Sequence, residues 1–285
     1  MPRPLRTALR LGRSRAASIA GTGALTSIDF EPLYSLAGFF VGMLVGMTGV
    51  GGGSLMTPIL VLLFGFHPAT AVGTDLLYAS VTKTVGTMVH GHRKTVDWTI
   101  VRRLATGSVP AAVLTLFLLA RSGSLHEHAV GVLNLMLGAM LLVTGVAILF
   151  QPRIVEWAAP KLEHVPEERT ARYTVVLGAV LGVLVSVTSV GAGALGITFL
   201  MILYHRLPIA RIAGSDIAHA VPLTLIAGVG HWLYGAVDFS LMLSLLAGSI
   251  PGIVIGSHIA SRASDARLRP VLAITLLVVG AKLFF

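Results

Sequence analysis

The stretch Gly42-Met-Leu-Val-Gly-Met-Thr-Gly-Val-Gly51-Gly52-Gly53 returns 140 positions on as Gly182-Val-Leu-Val-Ser-Val-Thr-Ser-Val-Gly191-Ala-Gly193. The match continues in order downstream. Gly73-Thr74-Asp75 recurs as Gly214-Ser215-Asp216, His90 as His231, Asp97 as Asp238, and Gly107-Ser-Val-Pro110 as Gly248-Ser-Ile-Pro251, each 141 positions later. One residue is therefore inserted between Pro208 and Gly214. An ordered series of matches in two apolar halves means an internal duplication. In a membrane protein, glycine-broken hydrophobic segments at matching places point to a transporter whose site lies between the halves.

The composition supports the membrane setting. The chain has 285 residues, 55% hydrophobic and 12% charged, with a mean hydropathy of +0.86. A soluble domain carries about 25% charged residues. Ala129 to Phe150 has no charge, and Leu241 to Ala260 has no Asp, Glu, Lys or Arg. Such lengths match the ~20 residues needed to cross a bilayer. The net charge of +9 sits mostly at segment ends and in loops, where it fixes orientation and meets anionic lipid, so nucleic acid is not expected as a partner. There are no cysteines, hence no disulfide and no thiolate chemistry.

These features define an all-α polytopic integral membrane protein. Residues 1–30 read as a basic cytoplasmic tail, 31–150 as the first membrane repeat, 151–172 as a polar linker and 173–285 as the second repeat. From Leu33 to Phe66 the chain is apolar across 34 residues. A single helix of that length would measure about 51 Å, against a hydrocarbon core of about 30 Å. It should break, and Gly51-Gly52-Gly53 is where. Counting each broken segment as one crossing gives about eight spans and parallel repeats. That count is preferred, because an N-terminus inside then places Arg93, Lys94 and the linker in the cytoplasm. The alternative turns each broken segment into a hairpin, giving ten short segments and inverted repeats.

The candidate site follows from the breaks. Freed N–H groups at a helix break can bind an anion, and Thr48, Ser54, Thr188 and Ser189 add hydroxyls beside Gly51, Gly52, Gly53, Gly191 and Gly193. Close helix packing is the plainer role for such glycines, but it does not predict matched breaks. Lys83 lies inside a span, where a charge costs at least about 2.5–3.5 kcal/mol, so it should face the interior. Thr224 holds its place in the second half, so the charge is not duplicated. Asp75, Thr82, Lys83, Gly86 and His90 fall in one ~100° sector of a helix. Asp75 and Asp216 follow Thr74 and Ser215, which read as helix caps; capping competes with a coupling role for both acids. His90, His219 and His231 could relay protons or be structural. No metal site, cofactor motif, catalytic set or phosphate-binding loop is present in the pattern.

These residues resemble the sulfite exporter TauE/SafE family, also called the toluene sulfonate uptake permease family. Gly49-Val-Gly-Gly-Gly53 with Pro58 and Gly73-Thr74 carries the likeness. The second copy, Ser189-Val-Gly191-Ala-Gly193, has Thr198 where Pro58 stood. The resemblance implies a secondary transporter of sulfur-containing oxyanions such as sulfite or sulfonates in a bacterial inner membrane. Protons are candidate coupling ions, and a homo-oligomer is left open. The competing function is an intramembrane enzyme such as a lipid phosphatase or hydrolase. It would need clustered acids, or a nucleophile beside a base, and the sequence supplies neither.

Overall fold

A computed structural model describes residues 31–48, 53–121, 127–162, 164–260 and 265–283. The expected N-terminal tail and the glycines Gly51 and Gly52 lie outside the described residues. Among the described residues ten α-helices follow one another, five in each half. Half one holds α1 (Pro32–Thr48), α2 (Gly53–Leu62), α3 (Pro68–His92), α4 (Trp98–Arg121) and α5 (Glu127–Ala158). Half two holds α6 (Glu167–Thr188), α7 (Ala194–Leu203), α8 (Ile209–Leu233), α9 (Phe239–Ala260) and α10 (Asp265–Lys282). The polar linker is largely helical, because α5 runs on through Gln151 and a 3₁₀ turn covers Ala159–Leu162. Prolines stand first in α1 and α3, where the missing N–H has no intrahelical partner to lose.

Among the described residues, five helices are long and apolar enough to cross a membrane, α4, α5, α6, α8 and α9. The helices α2 and α7 have 10 residues each. At 1.5 Å per residue each rises about 15 Å, half a hydrocarbon core.

Small residues set the helix pairs. In α1, Gly38 lies on Leu245 and Gly42 on Ser249 of α9, so these two helices run parallel. In α6, Gly178 lies on Leu104 and Gly182 on Ser108 of α4, again parallel. The second pair is the first one with the halves exchanged. A methyl group on any of these glycines would enter the partner's backbone, so the close approach requires glycine.

The repeat mates themselves pack antiparallel. Between α3 and α8, Gly73 meets His231, Leu77 meets Gly228 and Gly86 meets Ile217. Between α5 and α10, Leu141 meets Gly280 and Gly145 meets Leu277. Equivalent helices that run in opposite directions are related by an axis across the bundle, so the halves are inverted.

The break in half two is a hairpin. The Tyr204 hydroxyl, at the end of α7, lies 2.9 Å from the Thr174 hydroxyl in the first third of α6. Gly196 packs on Leu181, which a straight continuation of α6 would leave far behind. The chain therefore follows the ten-segment, inverted alternative. The charge distribution favoured eight spans and parallel halves. Backbone packing, which a charge pattern does not report, decides for the other arrangement.

Candidate functional site

The centre of the molecule is the α3–α8 pair, wrapped by α2, α4, α6, α7 and α9. Polar residues that the sequence spreads over both halves are buried there: Asp75, Lys83, Ser108, Asp216, His219, Thr224 and Ser249. Lys83 is 6% exposed and makes no ion pair within 4 Å among the described residues. Both Asp216 and Asp75 act on it electrostatically, and it acts on His219. One cation thus serves two carboxylates that the repeat relates to each other.

The two carboxylates are held differently. The Thr57 hydroxyl of α2 donates to Asp75 Oδ2 at 2.5 Å, and Ser189, at the break of half two, comes beside the same group. Asp75 Oδ1 has no hydrogen-bond partner among the described residues, and neither Asp216 oxygen has one. Gly196 of α7 lies against Asp216, and a Cβ there would collide with Oδ1. Thr57, in a segment where only the break was singled out, was missed by the sequence reading.

Two further contacts match across the repeat. The Tyr78 hydroxyl donates to Ser249 Oγ at 2.6 Å. His219 Nε2 and Ser108 Oγ are 2.8 Å apart. Tyr78 and His219 are mates, 141 positions apart, as are Ser108 and Ser249. The serines sit in the repeated Gly-Ser-x-Pro motif, which was the available signal for them. Each contact ties the central α3–α8 pair to a helix of an outer parallel pair.

The capping expectation for Thr74 and Ser215 is corrected. Each lies inside its helix, and each caps the other half instead. Thr74 Oγ1 accepts from the Asp238 N–H at 3.0 Å, just before α9. Ser215 Oγ accepts from the Asp97 N–H at 2.8 Å, just before α4. The acids beside them, Asp75 and Asp216, are left free to face the interior.

The break residues of half two form a strained turn. Ser189 is left-handed (φ 57°), and Gly191 and Gly193 have φ of 113° and 115°. Such values favour glycine at the latter two positions. Thr188 spends its hydroxyl on the turn, donating to the Leu184 carbonyl and accepting from the Val190 N–H. Ser189 Oγ has no partner among the described residues. Thr224 donates to the Ala220 carbonyl of its own helix. In half one, α1 ends at Thr48 and α2 begins at Gly53; the side chains of Thr48 and Ser54 are outside the described residues.

The histidines divide. His219 is central. His90 lies at the end of α3, with Nδ1 2.8 Å from Thr95 Oγ1. His231 lies at the end of α8, with Nε2 donating to the Ser186 carbonyl at 2.8 Å. Being inverted mates, these two sit at opposite ends of the central pair, and the structure does not bring them into the Lys83 cluster. No group of three or more His, Asp and Glu suited to a metal occurs among the described residues.

One face of the molecule gathers the ends of α3, α5 and α7 with the starts of α4, α6 and α8. Arg103 bridges Glu167 at 2.8 Å and reaches Tyr204 at 3.3 Å, while Arg211 lies 3.6 Å from Asp97. Asp97, Arg103, Glu167 and Tyr204 line a surface cavity of about 510 Å³.

Inverted halves, opposed hairpins and a buried charged cluster between them are the architecture of a membrane transporter. The chain belongs to the sulfite exporter TauE/SafE family, whose profile matches residues 34–283. It is 39% identical over 249 residues to the probable membrane transporter protein YjnA of Bacillus subtilis, covering 87% of this chain and 97% of that one. It is 27% identical to the probable membrane transporter protein YdhB of Bacillus subtilis, over 89% of this chain and 100% of that one. The probable membrane transporter protein YfcA of Escherichia coli K12 is 24% identical, over 87% and 88% of the two chains. No solved structure matches.

Proposed function

We propose that this protein moves small sulfur-containing oxyanions, such as sulfite or a short sulfonate, across the bacterial inner membrane, and that it is not an enzyme. The observation that carries the reading is Lys83, one buried cation at the middle of α3, between two inverted halves. A positive centre with hydroxyls and an opened backbone can satisfy several acceptor oxygens of a small anion. The buried cluster has no paired arginines, so a polyphosphate is poorly served. The substrate site is assigned to Lys83, Ser189, Gly191 and Gly193 with the half-one break at 48–54; Thr188 and Thr224 shape its walls. The coupling role is assigned to Asp75, Asp216 and His219, and the end positions of His90 and His231 suit gating better. The proposed domain limits, 31–150 and 173–285, cut inside the helices at both edges of the linker, since α5 ends at Ala158 and α6 begins at Glu167.

Purified protein in proteoliposomes, offered a panel of anions, tests this directly. Sulfite and a short sulfonate are expected to compete with each other. Preference for a cation, a sugar or a neutral solute would reject it.

An orientation accompanies this function. In the inverted arrangement Arg93, Lys94, Lys161, Arg169, Arg172 and Arg206 share one face. The opposite face has Arg121 and Lys282, and the arginines of the tail lie at or beyond the ~15–20 residues over which the positive-inside rule counts. The linker face is therefore assigned to the cytoplasm and both termini to the outside, the reverse of the eight-span expectation. The chain lacks cysteine, so single cysteines report sidedness cleanly. In spheroplasts, a membrane-impermeant thiol reagent should label Arg121→Cys and spare Lys161→Cys; the opposite pattern reverses the assignment.

A further inference from the structure

We infer that Asp216, and not its repeat mate Asp75, takes up and releases the coupling proton of this transporter, an inference that rests on the transporter reading above. The two acids differ in what the duplication left around them. Asp75 has the Thr57 hydroxyl bonded to it and Ser189 beside it. The matching positions in the other half hold Ile197 for Thr57 and Gly49 for Ser189, so neither can donate from a side chain. Gly196, the mate of Met56, lies directly against the Asp216 carboxylate, where a Cβ would not fit. Asp216 is 1% exposed, with both oxygens unpartnered among the described residues.

A buried carboxylate with no donor is costly, whereas a proton removes the charge and supplies the missing hydrogen. The proton comes from water on the open side and returns to water on the other, with no other bond made or broken. Charge balance gives it a purpose. With Asp75 and Asp216 both ionised beside Lys83, the cluster has a net negative charge and repels an anion. One proton on Asp216 leaves Asp75 and Lys83 balanced and admits the anion.

The groups around Asp216 are few. From α3 it faces Lys83, with Asp75 beyond, while His90, at the end of α3, lies against Gly214, two residues before Asp216. On its own helix stand His219 and, at the surface, Arg211 paired with Asp97. The titratable residues of α4 and α6 are confined to the helix ends, and α7 has none before Tyr204.

Infrared difference spectroscopy of the purified protein tests the proton itself. A carbonyl stretch of a neutral carboxylic acid at neutral pH should vanish in Asp216→Asn and persist in Asp75→Asn. Absence of the band in the wild type, or its loss in Asp75→Asn alone, overturns the assignment. In proteoliposomes the readout is the ratio of sulfonate uptake with and without an inward proton gradient. Methanesulfonate is the probe, because sulfite itself titrates near neutral pH. The ratio should fall to about one in Asp216→Asn; a ratio as high as wild type, or drive by sodium in place of protons, overturns it. Wild-type protein that keeps the infrared band yet moves no sulfur anion would count against the substrate reading and not against the proton site.

Discussion

Half one gives its buried acid the Thr57 hydroxyl and places the interior lysine, Lys83, further along the same helix. Half two keeps the acid, has Ile197 in place of that hydroxyl, and has Thr224 where the lysine would be. The outer contacts, by contrast, are copied faithfully. Gly38 and Gly42 on α9 repeat as Gly178 and Gly182 on α4, and Tyr78–Ser249 repeats as His219–Ser108. Backbone packing that makes an inverted pair must be the same on both sides, or the halves could not exchange roles. The charged centre is shared by both halves and needs only one copy of each part.

The largest effect is expected where the single copy is removed. Lys83→Met keeps the apolar stem and deletes the charge. Two buried carboxylates then lose their cation, and the anion loses a charge-assisted contact worth about 1.5–3 kcal/mol. That corresponds to roughly a 10- to 100-fold loss of anion uptake. Uptake in proteoliposomes, with membrane yield as the folding control, measures it. Unchanged uptake would make Lys83 structural and break the asymmetry at its centre.

The copied contacts should respond as copies. Gly107 lies on Val175 of α6 and its mate Gly248 on Ser35 of α1, both with no room for a Cβ. Gly107→Ala and Gly248→Ala should each destabilise by about 1–3 kcal/mol, the usual cost of overpacking. Thermal unfolding in detergent should show similar drops for the two. A large drop for one alone would mean that the parallel pairs are not equivalent.

The copied and the single-copy parts were not equally legible in the sequence. The duplication showed as an ordered series of matches. The break positions were readable because consecutive glycines weaken a helix, and Lys83 was readable because a charge inside a span is forced away from lipid. The uncharged stretches Ala129–Phe150 and Leu241–Ala260 fall within α5 and α9. The inversion was not readable. Arg93, Lys94 and the linker satisfy the positive-inside rule in either arrangement once the N-terminus is allowed to move, so charge alone cannot separate them. Thr74 and Ser215 misled because a hydroxyl before an acid is a cap signal. Here each hydroxyl caps a helix more than a hundred residues away, which no local pattern encodes. Thr57 and Ser108 were passed over for the same reason: their partners, Asp75 and His219, lie on other helices.

The smallest expected effect comes from repairing the asymmetry. Ile197 occupies the place of Thr57 and is 7% exposed in α7. Ile197→Thr restores a hydroxyl at the matching position beside Asp216, while Thr57→Val removes the one that serves Asp75. A donor to a carboxylate favours the ionised form, so more protons are needed to fill the site. The pH at which proton-driven uptake is half-maximal should therefore move down in Ile197→Thr. One hydrogen bond contributes about 0.5–1.5 kcal/mol net, and one pH unit corresponds to about 1.36 kcal/mol, so the shift should be about one unit or less. Thr57→Val acts on Asp75 and should leave that midpoint in place while lowering stability, because the Asp75 oxygen loses its partner. A midpoint that moves with Thr57→Val and not with Ile197→Thr would transfer the proton to Asp75, and the two halves would exchange their roles.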